Sequence, residues 1–248
     1  MIITSVNNEL VKETTKLLKN KYREETGLFL IEGEKAVKGA LIANIEIKKI
    51  FVLDSFHEFD NENNLIRTTE AVLSKISETK TAPKVIAIAK QINYSLESIK
   101  QWNKIILLEG IKDAGNLGSI LRTAAAFKID GIILYGDTVD LYNPKCVRSA
   151  VGNLWKVPVL KITDINLLKN MINGHEVIAT LPKGENVIEL KKATIDSKSI
   201  IMFGSEADGL SNELKNIATK NITIEMAQNV ESLNLSISVA IIVYNLNS

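Results

Sequence analysis

The stretch Lys104-Ile-Ile-Leu-Leu-Glu109, continued by Gly110-Ile-Lys-Asp-Ala-Gly-Asn-Leu-Gly-Ser-Ile-Leu-Arg122, decides the fold class. A short apolar run bounded by polar residues predicts a buried strand, and the glycine-containing segment after it leads into a helix. The same order of strand, loop and helix recurs towards the C-terminus. Such alternation favours an α/β fold with a largely parallel sheet, whose ligands bind beyond the carboxyl ends of the strands.

The apolar periodicity places the other elements of this second half. Strands are expected at 104–109, 130–135, 157–160, 176–180, 199–204 and 222–225. Helices are expected at 119–127, 144–151, 165–172, 210–218 and 232–246. The last helix is apolar over most of its circumference, which indicates burial on more than one side and is typical of a helix between subunits.

The first half of the chain shows the same alternation in shorter pieces. A helix capped by Asn7 or Asn8 is expected to run to about Lys21. Further helices are expected at 36–42 and 69–76, strands at 27–33, 47–53 and 84–90, and a loop at 55–64. These elements predict a compact α/β sandwich. Weak strand character from 95 to 104 places a boundary near residue 100, so we expect two domains, residues 1–98 and 99–248.

Composition excludes several classes of protein. Apolar residues make up 46% and charged residues 24% of the 248, as in ordinary globular chains. The sequence has no apolar run of membrane-spanning length and no signal-peptide pattern, so we expect a cytoplasmic protein without membrane contact. Its single cysteine, Cys146, and two histidines, His57 and His175, predict neither a disulfide nor a metal site. With a net charge of +1, any RNA-binding surface must be local.

Asn116, Gly118 and Arg122 mark the first of three segments that carry chemistry. Backbone amides of a loop that enters a helix bind anions, and an arginine on the first turn adds a forked donor suited to phosphate. The segment does not match the dinucleotide or nucleoside-triphosphate glycine patterns. Taken alone, it also fits an Asn116 helix cap followed by a surface arginine.

The second and third segments follow later strands. Phe203-Gly-Ser-Glu-Ala-Asp-Gly-Leu210 ends a strand in glycine, where a ligand can approach the backbone, and places Glu206 at the edge of the sheet. Glu231-Ser-Leu-Asn-Leu-Ser236 opens a helix with small polar groups that order a loop or hold a substrate. Each segment alone also fits a plain connection between a strand and a helix.

Together the segments are more specific than any one of them. The patterns Asn-x-Gly-x-x-x-Arg, Phe-Gly-Ser-Glu-x-x-Gly-Leu and Glu-Ser-Leu-Asn-x-Ser, in this order, resemble motifs 1, 2 and 3 of the SpoU/TrmH family in the SPOUT superfamily. Asp140-Leu-Tyr-Asn-Pro-Lys-Cys-Val-Arg148 is similar to the segment between its motifs. The stretch from Lys21 to Gly33 resembles the substrate-binding N-terminal domain of many members, which has a fold similar to ribosomal protein L30e.

This resemblance implies an RNA 2′-O-ribose methyltransferase that uses S-adenosyl-L-methionine, with ribosomal RNA ahead of transfer RNA as the substrate. It implies a C-terminal trefoil knot formed by loops around 181–185, 204–210 and 226–233, and a homodimer through that domain. The implied cofactor contacts are Thr180, Leu181, Gly204, Gly209, Ile224, Met226 and Leu233. The implied catalytic residues are Arg122, Asn116, Glu206, Ser232 and Asn234, and the implied RNA contacts are Lys21, Arg23, Arg122 and Arg148.

Arg122 is the residue assigned by similarity to activate the ribose hydroxyl. A guanidinium is protonated at all ordinary pH values, so we expect Arg122 first to orient the ribose and phosphate and only second to act as a base. The sequence departs from the family at Glu225, where proline is usual, and at Gln228-Asn229, where glycine is common, which affects the conformation of the cofactor loop.

Three other functions fit these residues less well. A catalytically silent RNA-binding module is disfavoured by the intact Arg122, Glu206, Ser232 and Asn234. A SPOUT enzyme that methylates a base nitrogen is disfavoured by Asn116 and Arg122 in the first motif. An NAD-binding domain lacks its glycine fingerprint.

Overall fold

The computed structural model describes residues 2–230 and 232–246, so Glu231 of the third motif lies outside the described residues. The chain divides into two compact units. The first comprises Met1–Asn93 with Asp140–Trp155, and the second comprises Tyr94–Val139 with Lys156–Ser248. No helix of the described ranges is long and apolar enough to cross a membrane.

The secondary structure alternates throughout. The strands are β1 (Ile2–Ile3), β2 (Leu28–Glu32), β3 (Ile47–Leu53), β4 (Leu65–Thr68), β5 (Val85–Lys90), β6 (Lys104–Glu109), β7 (Gly131–Tyr135), β8 (Val159–Ile162), β9 (Glu176–Thr180), β10 (Ile188–Glu189), β11 (Ser199–Phe203) and β12 (Lys220–Thr223). The helices are α1 (Glu9–Lys16), α2 (Asn20–Thr26), α3 (Glu34–Ile42), α4 (Glu70–Lys75), α5 (Ala114–Ala126), α6 (Pro144–Ser149), α7 (Ile165–Met171), α8 (Asn212–Lys215) and α9 (Leu235–Asn245). Two 3-10 helices lie at Leu96–Gln101 and Leu190–Lys192.

The first unit is built on a five-stranded sheet with the order β1-β4-β3-β5-β2. The neighbours β1, β4 and β3 are parallel, whereas β5 is antiparallel to both β3 and β2. One side is filled by a core cluster that includes Val11, Leu30, Phe51, Leu73 and Ile86. Burial of apolar side chains from α1 and α4 against the sheet stabilises this unit, which confirms the α/β class.

The helix expected from Asn8 to Lys21 is interrupted. Helix α1 ends at Lys16, and α2 begins at Asn20. The guanidinium of Arg23 donates a 2.7 Å hydrogen bond to the carbonyl oxygen of Leu17, which lies in the break. A continuous helix would use that carbonyl in its own backbone ladder, so a side-chain donor replaces a backbone donor here.

Arg23 is the centre of an internal polar cluster of the first unit. Its side chain is 2% exposed and lies 2.7 Å from the carboxylate of Asp140, whose side chain is 20% exposed. The carbonyl oxygen of Arg23 also accepts a hydrogen bond from the Gln91 side chain. This geometry gives Arg23 a structural role, in place of the RNA contact that the sequence suggested.

Substitution of Arg23 by alanine is expected to lower the free energy of unfolding by about 3–5 kcal/mol, because it leaves the carboxylate of Asp140 partly buried without its partner. Urea unfolding followed by circular dichroism measures the change. Lys21→Ala is the control, since that side chain is 88% exposed and should matter by less than about 0.5 kcal/mol. An Arg23→Ala protein as stable as the control would show that the buried pair contributes nothing.

Residues 140–155 join the first unit although they lie between β7 and β8 in the chain. Besides the Arg23 pair, Arg148 of α6 binds Glu32 of β2 at 2.9 Å, and the rings of Tyr142 and Phe29 lie 4.6 Å apart. The sequence divides the chain once, near residue 98, because the α/β rhythm runs unbroken through this segment. The compact units differ from that simple division, since these contacts are long-range and leave no local signal.

The second unit contains a seven-stranded sheet with the order β10-β12-β9-β11-β6-β7-β8. All its pairings are parallel, as the alternation predicts. Every residue of β7 and β11 is buried, which is typical of parallel strands covered on both faces. Helix α5 begins five residues earlier than expected, with Asp113 as its cap, so Asn116 and Gly118 lie in the first turns of the helix and not in a loop.

Candidate active site

A cleft of about 570 Å³ opens at the carboxyl ends of β9, β11 and β12 in the second unit. Its walls come from the segments that follow these three strands and from the start of α9. The lining residues are 180–182, 203–210, 215, 222–224, 226, 232–235, 238 and 242. This is the edge of a parallel sheet at which ligands bind, and the volume suits a small organic molecule.

The structure brings the predicted cofactor residues together. Thr180, Leu181, Gly204, Gly209, Ile224, Met226 and Leu233 all line this one cleft. The hydroxyl of Thr180 donates a hydrogen bond to the carbonyl oxygen of Met202 at 2.9 Å. The backbone amide of Leu181 donates to the carbonyl oxygen of Ile222, also at 2.9 Å. These bonds hold neighbouring walls of the cleft in place.

Two glycines shape the wall that follows β11. The amide of Gly209 donates a 3.0 Å hydrogen bond to the carbonyl oxygen of Ser205, which closes the turn. A Cβ atom on Gly204 would lie 1.9 Å from the carbonyl carbon of Gly209 and 2.2 Å from the amide nitrogen of Leu210, so only glycine fits there. Gly209 adopts a φ of +66°, a left-handed conformation that favours glycine.

Three of the predicted catalytic residues form one hydrogen-bonded chain. The amide group of Asn234 donates to the side-chain oxygen of Asn116 at 3.0 Å, and the amide group of Asn116 donates to the carboxylate of Glu206 at 2.5 Å. Asn234 also caps α9 by accepting from the amide of Ser236 at 2.9 Å. The three sequence motifs therefore supply one side chain each, with Glu206 and Asn234 lining the cleft and Asn116 bonding to both.

Replacement of Asn116 by aspartate is expected to break this chain. The variant would place a second carboxylate against that of Glu206 and remove the amide donor that now joins them at 2.5 Å. We expect at least tenfold weaker turnover at neutral pH in the methyl transfer that the family resemblance implies, with Asn116→Gln as the neutral comparison. Initial rates with a saturating RNA transcript measure the loss. Equal rates for the two variants would mean that charge at this position is unimportant.

Arg122 and Ser232, the remaining predicted catalytic residues, lie apart from that chain. Ser232 lines the cleft, whereas Arg122 is exposed on α5 and does not. Six residues separate Arg122 from Asn116 along the helix, so their side chains leave its axis about 120° apart. Within the described parts of the chain, the guanidinium of Arg122 makes no hydrogen bond or ion pair. It is therefore available to a ligand outside the cleft.

Two of the predicted RNA contacts lie at the surface of the first unit. Lys21 is fully accessible and lies 3.8 Å from Glu25. Arg148 is 27% exposed and paired with Glu32, which itself is 3% exposed and accepts a second bond from Ser77. Arg148 thus has a structural bond as well as an accessible face. Among the described residues, no group of three or more histidine, cysteine or acidic side chains is arranged to hold a metal.

Several cleft residues were missed by the sequence reasoning. Lys215 and Thr223 line the cleft but lie outside the loops expected around the cofactor, and no sequence pattern separates them from ordinary helix and strand residues. Glu109 also has a role, because its carboxylate accepts a 2.7 Å hydrogen bond from the backbone amide of Ser211, just after the Gly204–Gly209 turn. A carboxylate at the end of β6 was the one available signal for this anchor.

Comparison with known proteins decides the family. Residues 103–244 match the model of the SpoU rRNA Methylase family, and residues 8–87 match the MRM3-like substrate binding domain. The chain belongs to the SpoU rRNA methylase family. Both halves of the sequence resemblance are thereby confirmed.

Proteins from several bacteria match most of the length of this chain. The 23S rRNA (guanosine(2553)-2′-O)-methyltransferase RlmP of Bacillus subtilis is 30% identical over 98% of this chain and 98% of its own. The 23S rRNA (adenosine(1067)-2′-O)-methyltransferase of Streptomyces laurentii is 29% identical over 86% of this chain and 83% of its own. A crystal structure of an AdoMet-bound rRNA methyltransferase from Sinorhizobium meliloti is 28% identical, covers 99% of this chain and 96% of its own, and superposes with a TM-score of 0.88.

The residues that line the cleft at the ends of β9, β11 and β12 are chemically suited to S-adenosylmethionine. Leu181, Ile224 and Leu233 are apolar lining residues of the kind that suits an adenine ring. Because Gly204 has no side chain, a ligand can approach the backbone there closely. The carboxylates of Glu206 and Asp208 suit the cationic groups of the cofactor.

Proposed function

We propose that this chain is an S-adenosylmethionine-dependent methyltransferase that modifies a ribose 2′-hydroxyl of RNA, with 23S ribosomal RNA as its substrate. The observation that carries the proposal is the meeting of all three motifs at one cleft, where Asn234, Asn116 and Glu206 form a hydrogen-bonded chain. The names of the Bacillus subtilis and Streptomyces laurentii relatives support ribosomal RNA ahead of transfer RNA.

The cofactor supplies a methyl group already activated by a positively charged sulfur. The chain's own residues have to hold it and bring the ribose to it. Glycine at 204 keeps the backbone of the cleft open, and the Glu206 carboxylate, fixed by Asn116, provides negative charge at the mouth. Such fixed charges act without reorganising during the reaction, which is how most enzymes lower a barrier.

Arg122 is proposed to orient the ribose and its neighbouring phosphate. Its exposed guanidinium has no partner in the described residues and offers a rigid fork of donors to phosphate oxygens. Because it lies outside the cleft, the RNA would reach from Arg122 to the cofactor site. Ser232 is proposed to position the ribose from within the cleft, and Lys21 and Arg148 to contact RNA through the first unit.

We also propose a trefoil knot, a homodimer and a cytoplasmic location. The knot is supported by the three loops after β9, β11 and β12, which line one cleft. The dimer is supported by Ile237, Ile241 and Tyr244 of α9, which are 51%, 37% and 63% exposed at helical spacing that forms one stripe. Light scattering of the purified protein measures its molar mass and tests the dimer.

One experiment tests the reaction. Ribosomal RNA from a strain that lacks this protein is digested to nucleosides and analysed by mass spectrometry, beside RNA from the complemented strain. The proposal expects one 2′-O-methylated nucleotide in 23S RNA to disappear and return. Loss of a base-methylated nucleoside would identify a base methyltransferase, and an unchanged profile without cofactor binding would favour a silent RNA-binding module.

A further inference from the structure

The cleft contains a charge that the proposed mechanism does not use. Its described lining carries two carboxylates, Glu206 and Asp208, and one cation, Lys215 at the end of α8. Glu206 accepts from Asn116, and Asp208 accepts from the hydroxyl of Ser205. Each carboxylate therefore already has a polar partner within the protein.

Lys215 is the lysine of the described cleft lining, and it differs from Lys192 and Lys220 of the same unit, which have protein partners. Lys192 binds Glu189, and Lys220 binds Glu176 and the carbonyl oxygen of Thr194. Lys215 is exposed, and its ammonium group has no hydrogen bond or ion pair among residues 2–230 and 232–246. A lysine that faces a cleft without a protein anion is available to an anion of the ligand.

The helix that bears Lys215 is held firmly. Ser211 caps α8 by accepting from the amide of Leu214 at 3.3 Å, and its own amide donates to Glu109 at 2.7 Å. The hydroxyl of Tyr135 donates to Glu213 at 2.9 Å. Burial, followed by that hydrogen bond, raises the pKa of Tyr135 to about 12, so the hydroxyl stays a donor at neutral pH. The starting point of the Lys215 side chain is therefore fixed.

The charges of the cofactor match this arrangement. S-Adenosylmethionine carries a sulfonium, an ammonium and one carboxylate, and the cofactor residues inferred from the sequence include no cation for the last of these. We propose that Lys215 binds the carboxylate of the methionine moiety, an inference that rests on the proposed function. Lys215 is thus a specificity-determining residue that distinguishes the cofactor from ligands without this group.

Isothermal titration with two ligands tests the proposal. S-Adenosylmethionine and its decarboxylated form differ only in the carboxylate, so they isolate the interaction. Lys215→Gln is expected to bind S-adenosylmethionine about tenfold more weakly. This loss of affinity is larger than that for a fully exposed ion pair and smaller than that for a buried hydrogen bond to a charged group. The same variant should bind the decarboxylated ligand as well as the parent protein or slightly better, because a repulsion between cations is removed. Lys215→Arg should retain most of the affinity for the intact cofactor.

The control is Lys169→Gln, which removes an exposed charge on α7 away from the cleft lining. Unchanged S-adenosylmethionine affinity in Lys215→Gln would overturn the inference. The inference would also be overturned if the variant bound RNA more weakly but kept its affinity for the cofactor. An equal fall for both ligands would also overturn it, since that is the signature of a structural role. Failure of the parent protein to bind S-adenosylmethionine at all would instead contradict the proposed function.

Discussion

Substitution of Gly204 by alanine should abolish detectable S-adenosylmethionine binding. The added methyl group would overlap the backbone at Gly209 and Leu210, at 1.9 and 2.2 Å, and backbone cannot rotate away as a flexible side chain can. The turn that forms one wall of the cleft would have to move. Titration calorimetry measures the binding, and thermal unfolding measures the accompanying loss of stability.

Substitutions at two other glycines serve as controls for Gly204→Ala. Gly184→Ala should be neutral, because its Cβ would meet other atoms only at 4.0 Å. Gly209→Ala meets nothing within 4 Å but must adopt a φ of +66°, which costs about 1 kcal/mol. We therefore expect an intermediate effect there. Cofactor affinity that is unchanged in Gly204→Ala would mean that this turn is not part of the binding site.

Removal of the Arg122 side chain should separate chemistry from cofactor binding. In Arg122→Ala we expect methyl transfer to fall by a factor on the order of 10² or more, because the ribose and its phosphate would lose the group that is proposed to orient them. S-Adenosylmethionine affinity should be unchanged, because Arg122 does not line the cleft. Single-turnover rates and calorimetry on the same preparation make the comparison.

Arg122→Lys tests the chemistry of the group further. A lysine keeps the charge but loses the forked donor geometry, so we expect it to restore only a small part of the rate. Lys169→Ala, on the exposed face of α7, controls for a general loss of positive charge. Normal turnover in Arg122→Ala would reject the assigned role.

The sequence identifies elements that are defined by local patterns. Strand β6 was placed correctly from its apolar run, and α7 to within one residue from its apolar periodicity. The two-residue strands β1 and β10 were not predicted from the sequence, because they are defined only by their pairing with β4 and β12. Strand β4 follows the polar loop 55–64 and is too short to show alternation.

The residues of the candidate site could likewise be predicted only where they belong to a recognisable sequence motif. The sequence indicated the glycines and the residues Asn116, Glu206 and Asn234 only through the resemblance of its motifs to a known family, because each motif alone also fits an ordinary connection. It placed Asn116 in a loop because glycines at 115 and 118 suggest one, whereas Asp113 caps the helix before them. It also took Arg23 for a surface cation, because a buried partner 117 residues away at Asp140 leaves no local trace.

The inclusion of residues 140–155 in the first unit has a consequence for protein synthesis. When the first 93 residues have left the ribosome, Arg23 and Glu32 still lack Asp140 and Arg148, so this unit remains incomplete for some 60 further residues. Strand β6 cannot pair with β11, the central strand of the second sheet, until β11 is made roughly 95 residues later. Pairings of such long range fold slowly. The nascent chain therefore spends a long interval with apolar strands exposed, when chaperones would have most effect on its yield.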